Sequence, residues 1–161
     1  MQVQLNQFEI ELIKKFSEAK LSGVGGYRNE MRITDDSDAL LNGECGELAF
    51  CKLFNCYPDL SLDPQSSDLG TDLGDVVLFG RTIDVKTTRY ETGRLIVRNG
   101  KKVNGDYFAL MTGHYSSGYT FKGMIRQDLV IVDCRLKNFH GNTSYVVEQN
   151  ELRIFDEIKN R

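Results

Sequence analysis

Apolar residues recur at three- and four-residue steps near the start of the chain, then alternate with polar ones in short runs from about position 76 onward. In the first segment Leu5, Phe8, Leu12, Phe16 and Ala19 form one helical stripe, and Lys20, Ser22 and Gly23 close the predicted helix. A glycine-rich turn follows, Gly23 to Gly26, without the GK[ST] ending of a phosphate cradle. Thr34, Asp35, Asp36 and Ser37 then offer N-caps for a second helix, running from Asp38 through LLNGECGELAFCKLF. Gly43 and Gly46 inside it each cost about 1 kcal/mol relative to alanine, which predicts close packing against another backbone.

The stretch from Pro58 to Leu73 is a loop by composition. Beyond it DVVLF, TIDVKTT, RLIV, YFALM and YTFKGMI read as strands, with a tight turn at Phe79-Gly80-Arg81 and breaks at Asn99-Gly100 and Asn104-Gly105. SYVVEQ predicts a further strand, and Leu152, Phe155 and Ile158 a short terminal helix. Two helices followed by a mainly antiparallel sheet make one α/β domain over residues 1–161.

Composition narrows this picture. At 161 residues, 40% hydrophobic and 27% charged, with a mean hydropathy of -0.36, the chain has the makeup of a soluble globular domain rather than a disordered one. There is no run of about 18 apolar residues, so no membrane span is expected. The start, MQVQLNQFEIELIKK, lacks a secretory pattern, and the cytoplasm is the expected compartment, that of a host cell if the chain is phage-encoded. Cys45, Cys51, Cys56 and Cys134 form no CxxC pair, and neither His114 nor His140 completes a zinc pattern. Free, mostly buried thiols are the expectation.

The net charge of -3 argues at face value against a polyanionic partner, but the charges are segregated. From Asp35 to Asp75 there are ten acids and one base; from Arg81 to Lys102 there are seven bases and two acids. Carboxylates that hold a cation beside bases that hold an anionic substrate would give this pattern, and so would two oppositely charged solvated faces.

In Ile83-Asp84-Val85-Lys86-Thr87 the alternation sends Asp84 and Lys86 to one face of a strand and the aliphatics to the other. A two-residue turn at Gly80-Arg81 would pair Phe79 with Thr82, Leu78 with Ile83, Val77 with Asp84 and Asp75 with Lys86, so that Asp75, Asp84 and Lys86 converge. Two carboxylates at 4 Å repel by about 4 kcal/mol at an effective dielectric near 20, and something positive must offset that. Lys86 alone could do so as an ordinary ion pair. A divalent cation is the functional alternative: Mg²⁺, with Mn²⁺ as substitute, suits Asp75 and Asp84, with the Val85 carbonyl as a third ligand. Lys86 would then serve an attacking water or the charge developing on phosphorus.

Asp75 and the downstream Asp84-Val85-Lys86 resemble the PD-(D/E)XK nuclease superfamily. Gly46-Glu47-Leu48-Ala49 resembles the glutamate that its members often carry on the helix before the sheet, and VKTTRYETGRLIVRNGKKVNGDYFALMTGH followed by YTFKGMI resembles the sheet of small phage-type members. The resemblance covers about Gly43 to Ile125, with Gly74 in place of the motif's proline. It implies a restriction-endonuclease-like core over about 36–125, αβββαβ, in which a mixed β-sheet is flanked by helices. Because Asn99 to Asp106 has room for little more than a turn, the second core helix is expected to be reduced. It also implies a Mg²⁺-dependent deoxyribonuclease, expected to be an endonuclease, that hydrolyses phosphodiesters through a metal-activated water. Glu47, Asp75, Asp84 and Lys86 would be its catalytic residues, and Asp75, Asp84, Val85 and Glu47 its metal ligands.

DNA is the implied partner, and a homodimer would let one small domain address both strands. Thr87, Thr88, Arg89, Arg94, Arg98, Lys101 and Lys102 are candidates for phosphate contacts, and Tyr90, Tyr107, Tyr115 and Tyr119 for base stacking or packing. Glu44 competes with Glu47, Asp68 and Asp72 compete with Asp75, and His114 is an auxiliary acid or a surface histidine. Two rivals stand beside the nuclease: a catalytically silent DNA-binding or accessory protein on the same fold, and a phage structural or interaction protein.

Overall fold

The computed structural model describes residues 1–23, 36–58, 76–100, 105–139 and 141–154. The strands in chain order are β1 (Gln2–Val3), β2 (Val76–Leu78), β3 (Arg81–Thr88), β4 (Leu95–Arg98), β5 (Tyr107–His114), β6 (Gly118–Arg126), β7 (Leu136–Phe139) and β8 (Asn142–Val147). The helices are α1 (Gln7–Gly23), α2 (Asp36–Phe54) and the short α3 (Gln127–Val130). Five strands form a mixed sheet in the order β1-β6-β5-β3-β2, and three form a second sheet in the order β4-β8-β7.

α1 begins with a reciprocal cap: the Glu9 amide donates to the Asn6 side chain (2.9 Å), and the Asn6 amide donates to the Glu9 carboxylate (2.7 Å). Its buried face is not the predicted stripe. Phe8 is 73% exposed and Leu12 and Ala19 also face outward, whereas Ile13 and Ser17 are buried. Ser17 reaches that position because its hydroxyl donates both to the Ile13 carbonyl and to the Glu44 carboxylate on α2. A polar contact between helices thus sets the rotation of α1, and a count of apolar residues does not register it.

α2 buries Cys45, Ala49, Phe50 and Cys51 against the main sheet, where Ile83, Val85, Ala109, Met111, Tyr119 and Phe121 meet them in the first of two cores. A Cβ on Gly46 would stand 2.9 Å from the Thr87 Cβ, so this glycine is where the helix crosses β3 closely. Gly43 has open space instead, contrary to the expectation that both glycines mark close packing. The second core lies on the opposite face of the main sheet: Phe108, Leu110 and Ile125 pack under Leu95 and Val97 of β4, Val147 of β8, Val130 and Leu152.

The β2–β3 hairpin turns at Phe79-Gly80, both with positive φ (51° and 72°), the pairing that matches the right-handed twist of two antiparallel strands. Its register is Leu78 opposite Arg81, Val77 opposite Thr82 and Val76 opposite Ile83. This corrects the turn at Gly80-Arg81 and the pairing of Phe79 with Thr82, Leu78 with Ile83 and Val77 with Asp84. β3 then runs parallel to β5, with Asp84 beside Phe108 and Lys86 beside Leu110. A parallel neighbour requires a crossover, and residues 89–106 supply it. RLIV, expected in the main sheet, lies in this crossover as β4 and finds its antiparallel partner in β8. Most of the span where the reduced helix was expected, residues 101–104, lies outside the described residues.

Between β5 and β6 the ladder carries a bulge. Leu110 pairs with Gly123 and Met111 with Phe121, leaving Lys122 as the extra residue. Near the C-terminal end, a 3₁₀ turn (Gln149–Glu151) replaces the start of the predicted helix, and Leu152 closes the second core. Phe155 and Ile158 lie outside the described residues.

Candidate nucleic-acid interface and metal site

β3 divides its side chains between two environments. Ile83 and Val85 enter the first core, while Asp84 and Lys86 project from the opposite face, in contact through a Lys86 Nζ to Asp84 Oδ1 ion pair. Their side chains are 21% and 30% exposed, so the pair is reachable by solvent. The convergence of Asp84 and Lys86 follows from the period-two pattern. Asp75 precedes Val76 directly in the sequence but, like Asp68, Asp72, Lys101 and Lys102, lies outside the described residues.

Lys86 lines an open groove of about 510 Å³ between β3 and the crossover, together with Thr88, Tyr90, Thr92, Arg94 and Ile96. The segment before β4 is clamped in place: Gln149 donates to the Glu91 and Gly93 carbonyls (2.9 and 2.7 Å), and Arg94 pairs with Glu148 (3.3 Å). Thr88 packs below Gly93 and accepts from the Tyr90 amide (3.4 Å). Arg98 is exposed on the same outward side of β4 as Ile96.

Two other predicted phosphate contacts are engaged elsewhere, although Thr87 belongs to the groove lining. Thr87 turns its side chain toward Gly46, and its hydroxyl is buried with no hydrogen-bond partner among the described residues, so it is not offered to a phosphate. Arg89 reaches Asp38 at the start of α2 (3.2 Å). Among the described residues, four bases of the Arg81–Lys102 stretch are paired: Arg81, Lys86, Arg89 and Arg94 meet Asp106, Asp84, Asp38 and Glu148 respectively. Of the four tyrosines weighed for stacking, Tyr90 is the exposed one, at 69%. Tyr107 packs against the first core, Tyr115 donates to Asp38, and Tyr119 is buried with its hydroxyl on Asn42.

Glu44 is neither solvated nor aimed at β3, since it is buried against Ser17 of α1. Glu47 is half-buried on α2, next to Gly46 and the crossing with β3. Cys45 lies in the first core, and burial first, then Glu44 and Glu47, push its thiol up to about 12. It stays protonated and inert. His114 is tied down rather than free on a loop: its ring packs on Tyr115 at 4.0 Å, and its Nε2 stands 3.6 Å from Asp38. The Tyr115 hydroxyl, followed by His114 and Arg89, holds the Asp38 carboxyl below its usual range.

A polar set that sequence reasoning missed lies on the same sheet face as Lys86. The bulge delivers Lys122 to Glu91, and Glu91 also accepts from the Thr112 hydroxyl (3.4 Å). A lysine followed by glycine inside the otherwise apolar YTFKGMI was the available signal.

The donors Asp84, Glu47 and the Val85 carbonyl are all oxygens, the chemistry that Mg²⁺ selects over thiol or imidazole. Among the described residues, no three His, Cys, Asp or Glu side chains come together to hold a metal ion. The donor type therefore fits, and the donor count depends on Asp75. Among the described residues no helix is long and apolar enough to cross a membrane. No family model, curated protein or solved structure matches the chain.

Proposed function

We propose that the chain is a metal-dependent DNA nuclease of the PD-(D/E)XK type. The observation that carries this reading is the emergence of Asp84 and Lys86 together, on the solvent-reached face of β3, beside a groove that also carries Arg94 and Tyr90. The order of elements supports it: a helix against the lysine strand, a hairpin leading into that strand, a parallel neighbour, and an antiparallel strand beyond.

Asp84 and Asp75, with Glu47 and the Val85 carbonyl, would hold Mg²⁺ or Mn²⁺. Such an ion supplies Lewis acidity and a lowered water pKa. Lys86, the cation in contact with Asp84, donates to a phosphate oxygen where negative charge grows during displacement. Arg94 and Arg98 line up the flanking backbone.

Incubation with duplex, branched and single-stranded DNA in Mg²⁺ tests the reading. Asp84→Ala should abolish cleavage while the chain stays folded, and undiminished Mg²⁺-dependent cleavage by that variant would sink it. Lys86→Ala should lose about a hundredfold in single-turnover rate with metal affinity retained. A catalytically silent DNA-binding or accessory protein is the second reading, favoured by the closed Asp84 to Lys86 pair. Calorimetric titration with Mg²⁺ and Mn²⁺ separates the two, because the silent form has no saturable site that depends on Asp84.

A further inference from the structure

We infer that the groove between β3 and the crossover seats an unpaired, single-stranded stretch of DNA, with a base stacked on Tyr90 and adjoining phosphates on Lys86 and Arg94. The inference rests on the DNA partner of the reading above, in its catalytic or its silent form.

Tyr90 carries the argument. A ring that is 69% exposed, in a groove that sets Lys86, Arg94 and threonines beside Ile96 and Leu110, presents an aromatic face next to cations and hydroxyls. Bases inside a duplex have both faces covered by their neighbours, so only an unstacked base can meet such a ring. The size agrees: about 510 Å³ lies within the range of about 300–1,000 Å³ that holds one small ligand, the scale of a nucleotide rather than a helix. The charge agrees as well. Lys86 and Arg94 flank Tyr90 in sequence on either side and line the same groove. The Arg94–Glu148 pair is exposed, and exposed ion pairs are weak enough for a phosphate to compete, while Lys86 shares its charge with the partly buried Asp84. Ile96, also in the groove, extends the apolar surface available to a base or sugar.

The backbone that carries the ring is held in place. Thr88 accepts the Tyr90 amide, the Gly93 amide donates to the Tyr90 carbonyl (2.8 Å), and Gln149 clamps the residues on either side of Thr92. A segment held in this way leaves only the rotamer of the ring to be fixed when a base settles on it.

Fluorescence anisotropy on the full chain in EDTA tests the proposal, using labelled oligo-dT, the same length of oligo-dT with abasic positions, a blunt hairpin duplex and oligo-U. Wild type should bind oligo-dT at least about tenfold tighter than the duplex, with a strong salt dependence. Tyr90→Ala should weaken oligo-dT binding by about tenfold and leave duplex binding unchanged, while Tyr90→Phe keeps wild-type affinity. The abasic strand should bind wild type as weakly as oligo-dT binds Tyr90→Ala. Equal affinity for duplex and single strand, no loss in a folded Tyr90→Ala, or tighter binding of oligo-U than of oligo-dT would each overturn it. Binding of this kind without any Mg²⁺-dependent cleavage defeats the nuclease and leaves the groove assignment standing. Asp84-dependent cleavage with no single-strand preference defeats the groove assignment alone.

Discussion

The two sides of β3 are made by one strand, yet they obey different rules. On the helix-covered side Ile83, Val85 and Thr87 are packed against α2 so closely that Gly46 has no room for a side chain. On the other side Asp84, Lys86 and Thr88 keep contact with water at the edge of an open groove. The difference shows a division of labour at the scale of single residues: the odd positions fix where the strand lies, and the even positions are thereby released to carry charge. Burial on one side supplies the rigidity that a charged pair on the other cannot supply for itself.

Substitutions on the two sides should therefore separate stability from activity. The largest effect on stability belongs to Ile83→Ala, which empties a fully buried site and should cost about 2–5 kcal/mol in urea denaturation. Gly46→Ala comes next, at about 1–3 kcal/mol of overpacking, and Thr87→Ala in the same chain should recover part of that loss. At Gly43, on the same helix but facing open space, alanine should instead stabilise by about 0.5–1 kcal/mol. Equal behaviour of the two glycines would break the comparison. Asp84→Ala, across the strand, should change stability by less than about 1 kcal/mol even where cleavage is lost.

The smallest effect is a pH dependence at the C-terminal end of β3, where Arg89, His114 and Tyr115 surround Asp38. The Asp38 carboxyl is held low, chiefly by the Tyr115 hydroxyl. Its contribution is therefore present above the unfolded value of about 3.9, and it is lost as pH falls through the lower folded value. Denaturation midpoints measured downward from pH 5 should fall less steeply in Tyr115→Phe than in wild type. Identical slopes would remove the bond from the account.

Much of this was legible because period-two alternation is a local property. Asp84 and Lys86 share a face whatever the neighbouring strands do, and so the pair could be read from five residues. The hairpin was legible in existence but not in register, since the turn is closed by a phenylalanine with positive φ, a conformation uncommon for that residue. Non-local choices were hidden. RLIV has the pattern of a strand in any sheet, and only its pairing with β8 assigns it to the second one. The stripe of α1 was misread because Ser17 and Glu44 are buried as a pair, and each alone counts as a surface residue. The groove could not be foreseen at all, because Gln149 and Glu148, which fasten its wall, lie far along the chain from Tyr90 and Arg94.

That last separation sets an order of assembly. Synthesis delivers residues 89–98 well before residues 142–149, and contacts that close long loops form late. The helices, the hairpin and the β3–β5 ladder can settle among themselves, while Leu95 and Val97 wait in water until β8 arrives to cover them. Pulse-labelled hydrogen exchange during refolding should find the β4 amides protected together with those of β8 and after those of β3. A nascent chain halted before Asn142 would thus lack β8, which covers Leu95 and Val97, and also Glu148 and Gln149, which fasten the wall of the groove.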